Sequence, residues 1–220
     1  MRVAIMQPYF FPYLGYFQLI QAVDVWVNMD HAAFKKKGFM HKNTVVDEQP
    51  IRVPLVGASQ NLNTREIGVN LEGKLWSKLK TTLHHKYHKA PYYERAIGFL
   101  DAALERQPES LAALNFDLIT SIHGFLEMDT QLLDTSIGRT ALSRADGMVD
   151  IATQLEATTL INPIGGQAIY DKSYFKERGI ELQFIQMTLE DPQYQYSIFH
   201  HLCHSTAEEL RELLDKYELV

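Results

Sequence analysis

Apolar positions along the chain follow two periods. Val3-Ala4-Ile5-Met6 is an unbroken apolar run that ends in Gln7-Pro8, and it predicts a buried strand. A dense aromatic segment follows: Tyr9, Phe10, Phe11, Pro12, Tyr13, Gly15, Tyr16 and Phe17. Pro8 and Pro12 forbid a helix running straight through it, so it reads as a loop feeding a helix over Tyr16–Val23. Val25–Met29 reads as a second strand with Asp30 at its end, Thr44–Val46 and Ile51–Leu55 as two short strands around a turn, and Ile67–Leu71 as another. From Lys74 to Met128 the period becomes helical. Leu75, Leu79, Thr82 and Leu83 share one face; Ile97, Leu100, Ala103 and Leu104 share a second. Ala90-Pro91 separates those two helices. Pro108-Glu109-Ser110 opens a third, with the stripe Leu111, Leu114, Leu118, Ile122 and Phe125. Beyond it the pattern predicts a strand near Gln131–Ser136, a helix over Met148–Leu155 and a β-branched strand over Thr158–Ile161. Ser173–Arg178 reads as a short helix capped by Gly179, Ile180–Ile185 as the last strand and Glu208–Tyr217 as a terminal helix.

Helix–strand alternation at both ends, around a helical middle, predicts a single α/β domain over residues 1–220. Its core is an open, mostly parallel Rossmann-like sheet with a helical insertion at about 74–128. The two strongest loop signals, after Met6 and after Ile161, each follow a strand, and parallel strands place both on the edge where such folds bind ligands. A 46% apolar fraction suffices for a sizeable core. A formal net charge of -6 argues against a non-specific nucleic-acid binder. No apolar stretch is long enough for a membrane-spanning helix, no signal peptide is expected, and the single Cys203 excludes an internal disulfide and a cysteine-rich zinc site. Together these point to the cytoplasm.

Five segments carry candidate chemistry. The aromatic loop is either a staple between sheet and helix or a platform for a sugar or base, with Gln7 and Tyr16 the favoured ligand contacts beside Pro8 and Tyr9. Asp30 with Lys35, Lys36 and Lys37 is either a solvated charge run or an anion site that Gly38 lets the backbone approach. In His84-His85-Lys86-Tyr87-His88, no HExxH pattern occurs and no metal is expected; His84 continues the face of Leu79 and Leu83 and is expected to point inward as a general base. Asn162-Pro163-Ile164-Gly165-Gly166 ends a strand with two glycines whose amides can meet an anion or a carbonyl oxygen, and Tyr170 follows. His200-His201-Leu202-Cys203-His204 looks like a metal or Cys–His cluster, but the lone Cys reads as a small buried hydrophobe, with no partner oriented for nucleophilic catalysis.

The strings MRVAIMQPYFFPYLGYFQLIQAVDVWV, FKKKGFMHKN, LHHKYHKAPYYE and LINPIGGQAIYDKSYFKERGIELQFI resemble, in order and spacing, the WbqC-like protein family over nearly the whole chain. Lys42-Asn43 stands where many relatives carry Arg-Asn, which loses the bidentate fork, and Asn162–Gly166 departs from the glycine loop of relatives. The resemblance implies modification of a nucleotide-linked amino sugar for O-antigen or another bacterial surface polysaccharide, by acyl or aminoacyl transfer. It implies no tightly bound cofactor; coenzyme A or an acyl carrier protein would present the thioester donor. His84 and Asp30 would be catalytic. Gln7, Pro8, Tyr9, Tyr16, Lys37, Asn43, Tyr92, Asn162, Gly165, Gly166 and Tyr170 would line the substrate site. A nucleotidyl-type transferase and a non-catalytic sugar-binding partner are the competing readings. The pattern around Gly15 resembles the start of nucleotidylyltransferases but lacks both of their histidines. Self-association stays open.

Overall fold

The computed structural model describes residues 1–134 and 144–220. Strand β1 (Arg2–Met6) leads through the aromatic loop into helix α1 (Leu14–Gln21), and β2 (Val25–Asn28) follows. Two antiparallel hairpins come next: β3 (Lys42–Val45) with β4 (Gln49–Arg52), and β5 (Leu55–Val56) with β6 (Gly68–Val69). Helices α2 (Gly73–Tyr87), α3 (Tyr93–Glu105) and α4 (Leu111–Phe125) lead to β7 (Gln131–Asp134). After α5 (Arg144–Gln154) come β8 (Thr159–Pro163), α6 (Lys172–Lys176), β9 (Glu181–Met187), α7 (Ile198–His204), α8 (Ala207–Leu214) and β10 (Tyr217–Leu219).

The central sheet has six strands in the order β10-β9-β8-β1-β2-β7, all parallel except β10. Read from β7, this is the 3-2-1-4-5-6 order of doubly wound dinucleotide-binding folds, whose switch point lies between the first and fourth strands. Here those strands are β1 and β8. Side chains alternate between two apolar layers. Val3, Ile5, Val25, Val27 and Leu160 pack with Met148, Ile151 and Phe175 of α5 and α6. Ala4, Trp26 and Ile161 face the opposite layer, with α1, α4 and α8. Burial on both faces is why β1 is a continuous apolar run. Helix α1 is buried all round, Leu14 to Ile20, as expected of a helix sealed inside a core. Of the helical stretch expected as an insertion, α4 covers the sheet: Phe116 stacks on Trp26 at 6.3 Å.

Several expectations shift. The buried stripe of α2 is Trp76, Leu79, Leu83 and Tyr87, while Leu75 is 42% exposed; the stripe steps by three and four residues and leaves Leu75 off the contact line. The third helix begins as expected, with Ser110 Oγ accepting the Ala113 N–H. Ile180–Ile185 is not the last strand. The terminal helix stops at Leu214, and Tyr217–Leu219 pairs antiparallel with Met187–Ile185. Helix α7 was not expected from the pattern. The strand near 131–136 is seen through Asp134, and residues 135–136 lie outside the described residues.

Candidate functional site

The ladder between β1 and β8 pairs Arg2 with Thr159 and Val3 with Leu160 and goes no further, although β1 pairs with β2 as far as Met6 and β8 with β9 as far as Pro163. The carboxyl end of the switch point therefore lacks a ladder across it. Counting on in register sets Gln7 level with Ile164, so the two loops singled out from sequence flank one gap.

The aromatic loop is held rigidly by its carbonyls. Gln7 O accepts the Tyr16 hydroxyl at 2.6 Å and Pro8 O accepts Asn115 Nδ2 at 2.9 Å. Asn43 Nδ2 donates to Phe10 O and Phe11 O, Ser197 Oγ also donates to Phe11 O, and the Ile198 N–H to Pro12 O. Phe11 sits at φ +41°, a conformation costing a bulky residue about 1–3 kcal/mol, and these bonds over-determine it. Asn115 Nδ2 donates to Met40 O as well, at 2.6 Å, and the Phe10 N–H donates to Phe39 O at 3.1 Å. The lysine loop is thereby tied to the aromatic loop, with Tyr9 5.9 Å from Phe39, ring to ring. Burial and the nearby Tyr13 push the Tyr9 phenol up, so it stays neutral at pH 7. Asp30 follows β2, its carboxylate 3.6 Å from His31 Nδ1 and only 14% exposed.

On the other side, β8 ends in a 3-10 turn, Ile164–Ala168. Gly165 is exposed with open space above it. A Cβ on the buried Gly166 would lie 2.8 Å from Asn162 Oδ1 and 3.2 Å from the Phe184 ring, so only glycine fits there. A shallow cleft of about 560 Å³ continues from this turn, lined by Gln167–Lys172 and Phe184, with Lys172 Nζ 5.6 Å from the Phe184 ring centre. The amino end of α1, which cradles pyrophosphate in dinucleotide enzymes, is covered here: Leu14 is fully buried and the Tyr13 ring lies over Gly15.

Gln7, Pro8, Tyr9, Asp30, Asn162, Gly165 and Gly166 thus lie at or just beyond the carboxyl ends of β1, β2 and β8, Tyr170 lines the cleft beside the glycine turn, and Lys37 is exposed on the loop tied to the aromatic loop. Four expectations need correction. His84 does not point inward. It is exposed, one position past the buried Leu83, and its ring neighbours are His85, His88 and Tyr93. Tyr16 is 2% exposed, and its hydroxyl is spent on Gln7 O, so it is a core residue rather than a ligand contact. Asn43 is a buried clamp of the aromatic loop. Tyr92 lies at the start of α3, under the Arg95 guanidinium at 4.4 Å, with its N–H on Cys203 O. Pro8 and Asn162 are buried and shape the edge from beneath.

Sequence reading missed Asn115 and Lys172. Asn115 was visible as a polar residue inside the stripe Leu111, Leu114, Leu118; Lys172 carried no signal beyond following the glycine turn. In the His200–His204 segment Cys203 is buried, as read, together with His200, His201 and Leu202, while His204 is exposed. Burial pushes the Cys203 thiol up to about 12, which leaves it protonated and unreactive. Among the described residues no group of three His, Cys, Asp or Glu side chains is placed to hold a metal.

Strand order and coverage of both sheet faces define a Rossmann-like doubly wound α/β protein. The chain belongs to the WbqC-like protein family, whose family model matches residues 7–202. It is similar to the uncharacterized protein Rv1507c of Mycobacterium tuberculosis, with 24% identity over 82% of this chain and 80% of that protein. No solved structure matches it. Among the described residues no helix is long and apolar enough to cross a membrane.

Proposed function

We propose that the protein modifies a nucleotide-linked amino sugar, transferring an acyl or aminoacyl group from a thioester donor to the sugar amine in bacterial surface-polysaccharide assembly. The observation that carries this reading is the gap between β1 and β8, with Gln7 and Tyr9 on one side and the Gly165–Gly166 turn on the other. Tyr9 and Gln7 suit a sugar or base by stacking and amide hydrogen bonding. With the amino end of α1 covered, Lys37, exposed on the loop tied to the aromatic loop, would be the cation for the diphosphate. The amine nitrogen would bond to the thioester carbonyl carbon and the C–S bond would break. The amine proton would pass through Asp30 to the departing thiolate, and amides of the glycine turn would hold the oxyanion. Asp30 suits this role better than His84, which is exposed on α2.

The test is a thermal-shift screen with UDP-linked amino sugars, thioester donors and nucleoside triphosphates, followed by mass spectrometry of the sugar product. A ligand at about 100 times its Kd stabilises by about 2.7 kcal/mol. Stabilisation by an amino-sugar nucleotide without magnesium, and a product that disappears in Asp30→Asn while binding persists, supports the reading. Stabilisation only by a nucleoside triphosphate with magnesium replaces it with nucleotidyl transfer.

A further inference from the structure

The lysine loop and the β3–β4 hairpin carry cations that make no ion pair among the described residues. Lys35 and Lys36 stand exposed on the lysine loop, and Lys42 and Arg52 are direct cross-strand partners in the β3–β4 hairpin. Directly opposed side chains of an antiparallel pair lie about 4.5–5.5 Å apart at Cβ, and like charges there repel. Among the described residues none of the four makes an ion pair. The Phe34 and His41 rings, 5.1 Å apart, draw the two ends of the loop together, so Lys35 and Lys42 flank one contact. Both Lys42 and Arg52 act on the His41 ring, whose pKa falls through burial first and then through these two charges. Phe39, 54% exposed, stands in the same loop, ring to ring with Tyr9.

We infer that Lys35, Lys36, Lys42, Arg52 and Phe39 form the docking surface for an acidic carrier protein bearing the thioester donor, an inference that rests on the transfer reading above. Three observations select this occupant. The cations are spread over a loop and a hairpin and line neither of two surface clefts, of about 560 and 310 Å³, whereas a small ligand favours a concave site. The chain as a whole is at -6, so an acidic partner is repelled elsewhere and steered here. Phe39 is an exposed aromatic ring, a residue type enriched at protein interfaces, and it leads to Tyr9 at the switch point.

The experiment titrates the full chain with a purified phosphopantetheinylated acyl carrier protein and, separately, with a UDP-linked amino sugar. Binding to the carrier should weaken at least tenfold between about 20 and 200 mM NaCl, because exposed charges are screened over a Debye length. Two independent variants, K42Q/R52Q and K35Q/K36Q, should each weaken carrier binding at least tenfold, and K42Q/R52Q, away from Lys37, should keep the sugar-nucleotide affinity. Carrier binding that is absent in the wild type, or unchanged from wild type in either folded variant, overturns the inference. So does tight binding of a single-stranded oligonucleotide with carrier binding absent. Sugar-nucleotide binding without carrier binding defeats the docking surface alone. Carrier binding lost in both variants, with no sugar nucleotide bound, upholds the surface and defeats the sugar-modification reading.

Discussion

Replacing Asn115 by Leu isolates the link between the two loops of the edge. Asn115 is fully buried in the middle of α4, and its Nδ2 serves Pro8 O at 2.9 Å and Met40 O at 2.6 Å. Leu keeps the branching and the number of side-chain heavy atoms, so no cavity opens and the main loss is polar, although its methyl groups are bulkier than the amide. Each carbonyl left buried without a donor costs about 1–3 kcal/mol. Part of this is offset. Asn115 Oδ1 has no donor in reach, so removing it relieves about 1 kcal/mol of uncompensated burial. Leu is also the better helix former by a few tenths of a kcal/mol. The net expectation is a loss of about 2–4 kcal/mol, which for a chain of this size lowers Tm by roughly 5–15 °C. Urea unfolding followed by fluorescence and circular dichroism measures it, with coincident transitions as the check on two-state behaviour. Because both loops lose an anchor, the folded variant should also bind the sugar nucleotide more weakly. A stability within about 0.5 kcal/mol of wild type, with unchanged binding, would refute the clamp.

Acid should weaken the fold between pH 6.5 and 4. Burial, with His204 or His200 beside them, pushes His200 and His201 down to about 4, so the unfolded chain takes up their protons first as pH falls. Their contribution is complete above the unfolded value near 6.5, is lost on descent to 4, and is worth up to about 3 kcal/mol for each, less for a coupled pair. Urea titrations at several pH values read it, and a pH-independent stability over that window counts against it. Gly166→Ala drives a Cβ into Asn162 and Phe184 and should cost about 1–3 kcal/mol, whereas Gly165→Ala, facing open space, should leave stability within about 0.5 kcal/mol; equal effects would show that the turn is not packed as described. Tyr87→Phe removes the hydroxyl that accepts the Val46 N–H at 3.0 Å and lies 3.2 Å from His200 Nδ1. It should cost about 1–3 kcal/mol and speed hydrogen exchange at Val46, and unchanged exchange there would contradict it.

Fully buried parallel strands need continuous apolar runs, so Val3–Met6 and Thr158–Ile161 could be read directly, and Pro8, Pro12 and the glycine pair marked where each run stops. Those local facts determined the α/β class and the two loops that flank the gap between β1 and β8. They could not determine strand order, because order depends on which crossovers pack on which face. Nor could they rank the residues on a helix face. His84 and Tyr87 both lie near the line of Leu83, and only the packing of α2 against the β3–β4 hairpin and α7 buries Tyr87 and leaves His84 in water. Asn43 and Asn115 looked like a ligand contact and an ordinary helix residue. Their roles are set by carbonyls 33 and 107 positions away in the chain, which no local pattern encodes. Tyr217–Leu219 has too few residues to signal a strand, and it becomes one because Ile185–Met187 offers it an open edge. Periodicity is a property of neighbours in sequence, whereas a hydrogen-bond partner or a buried face is a property of neighbours in space, and only the folded chain brings those together.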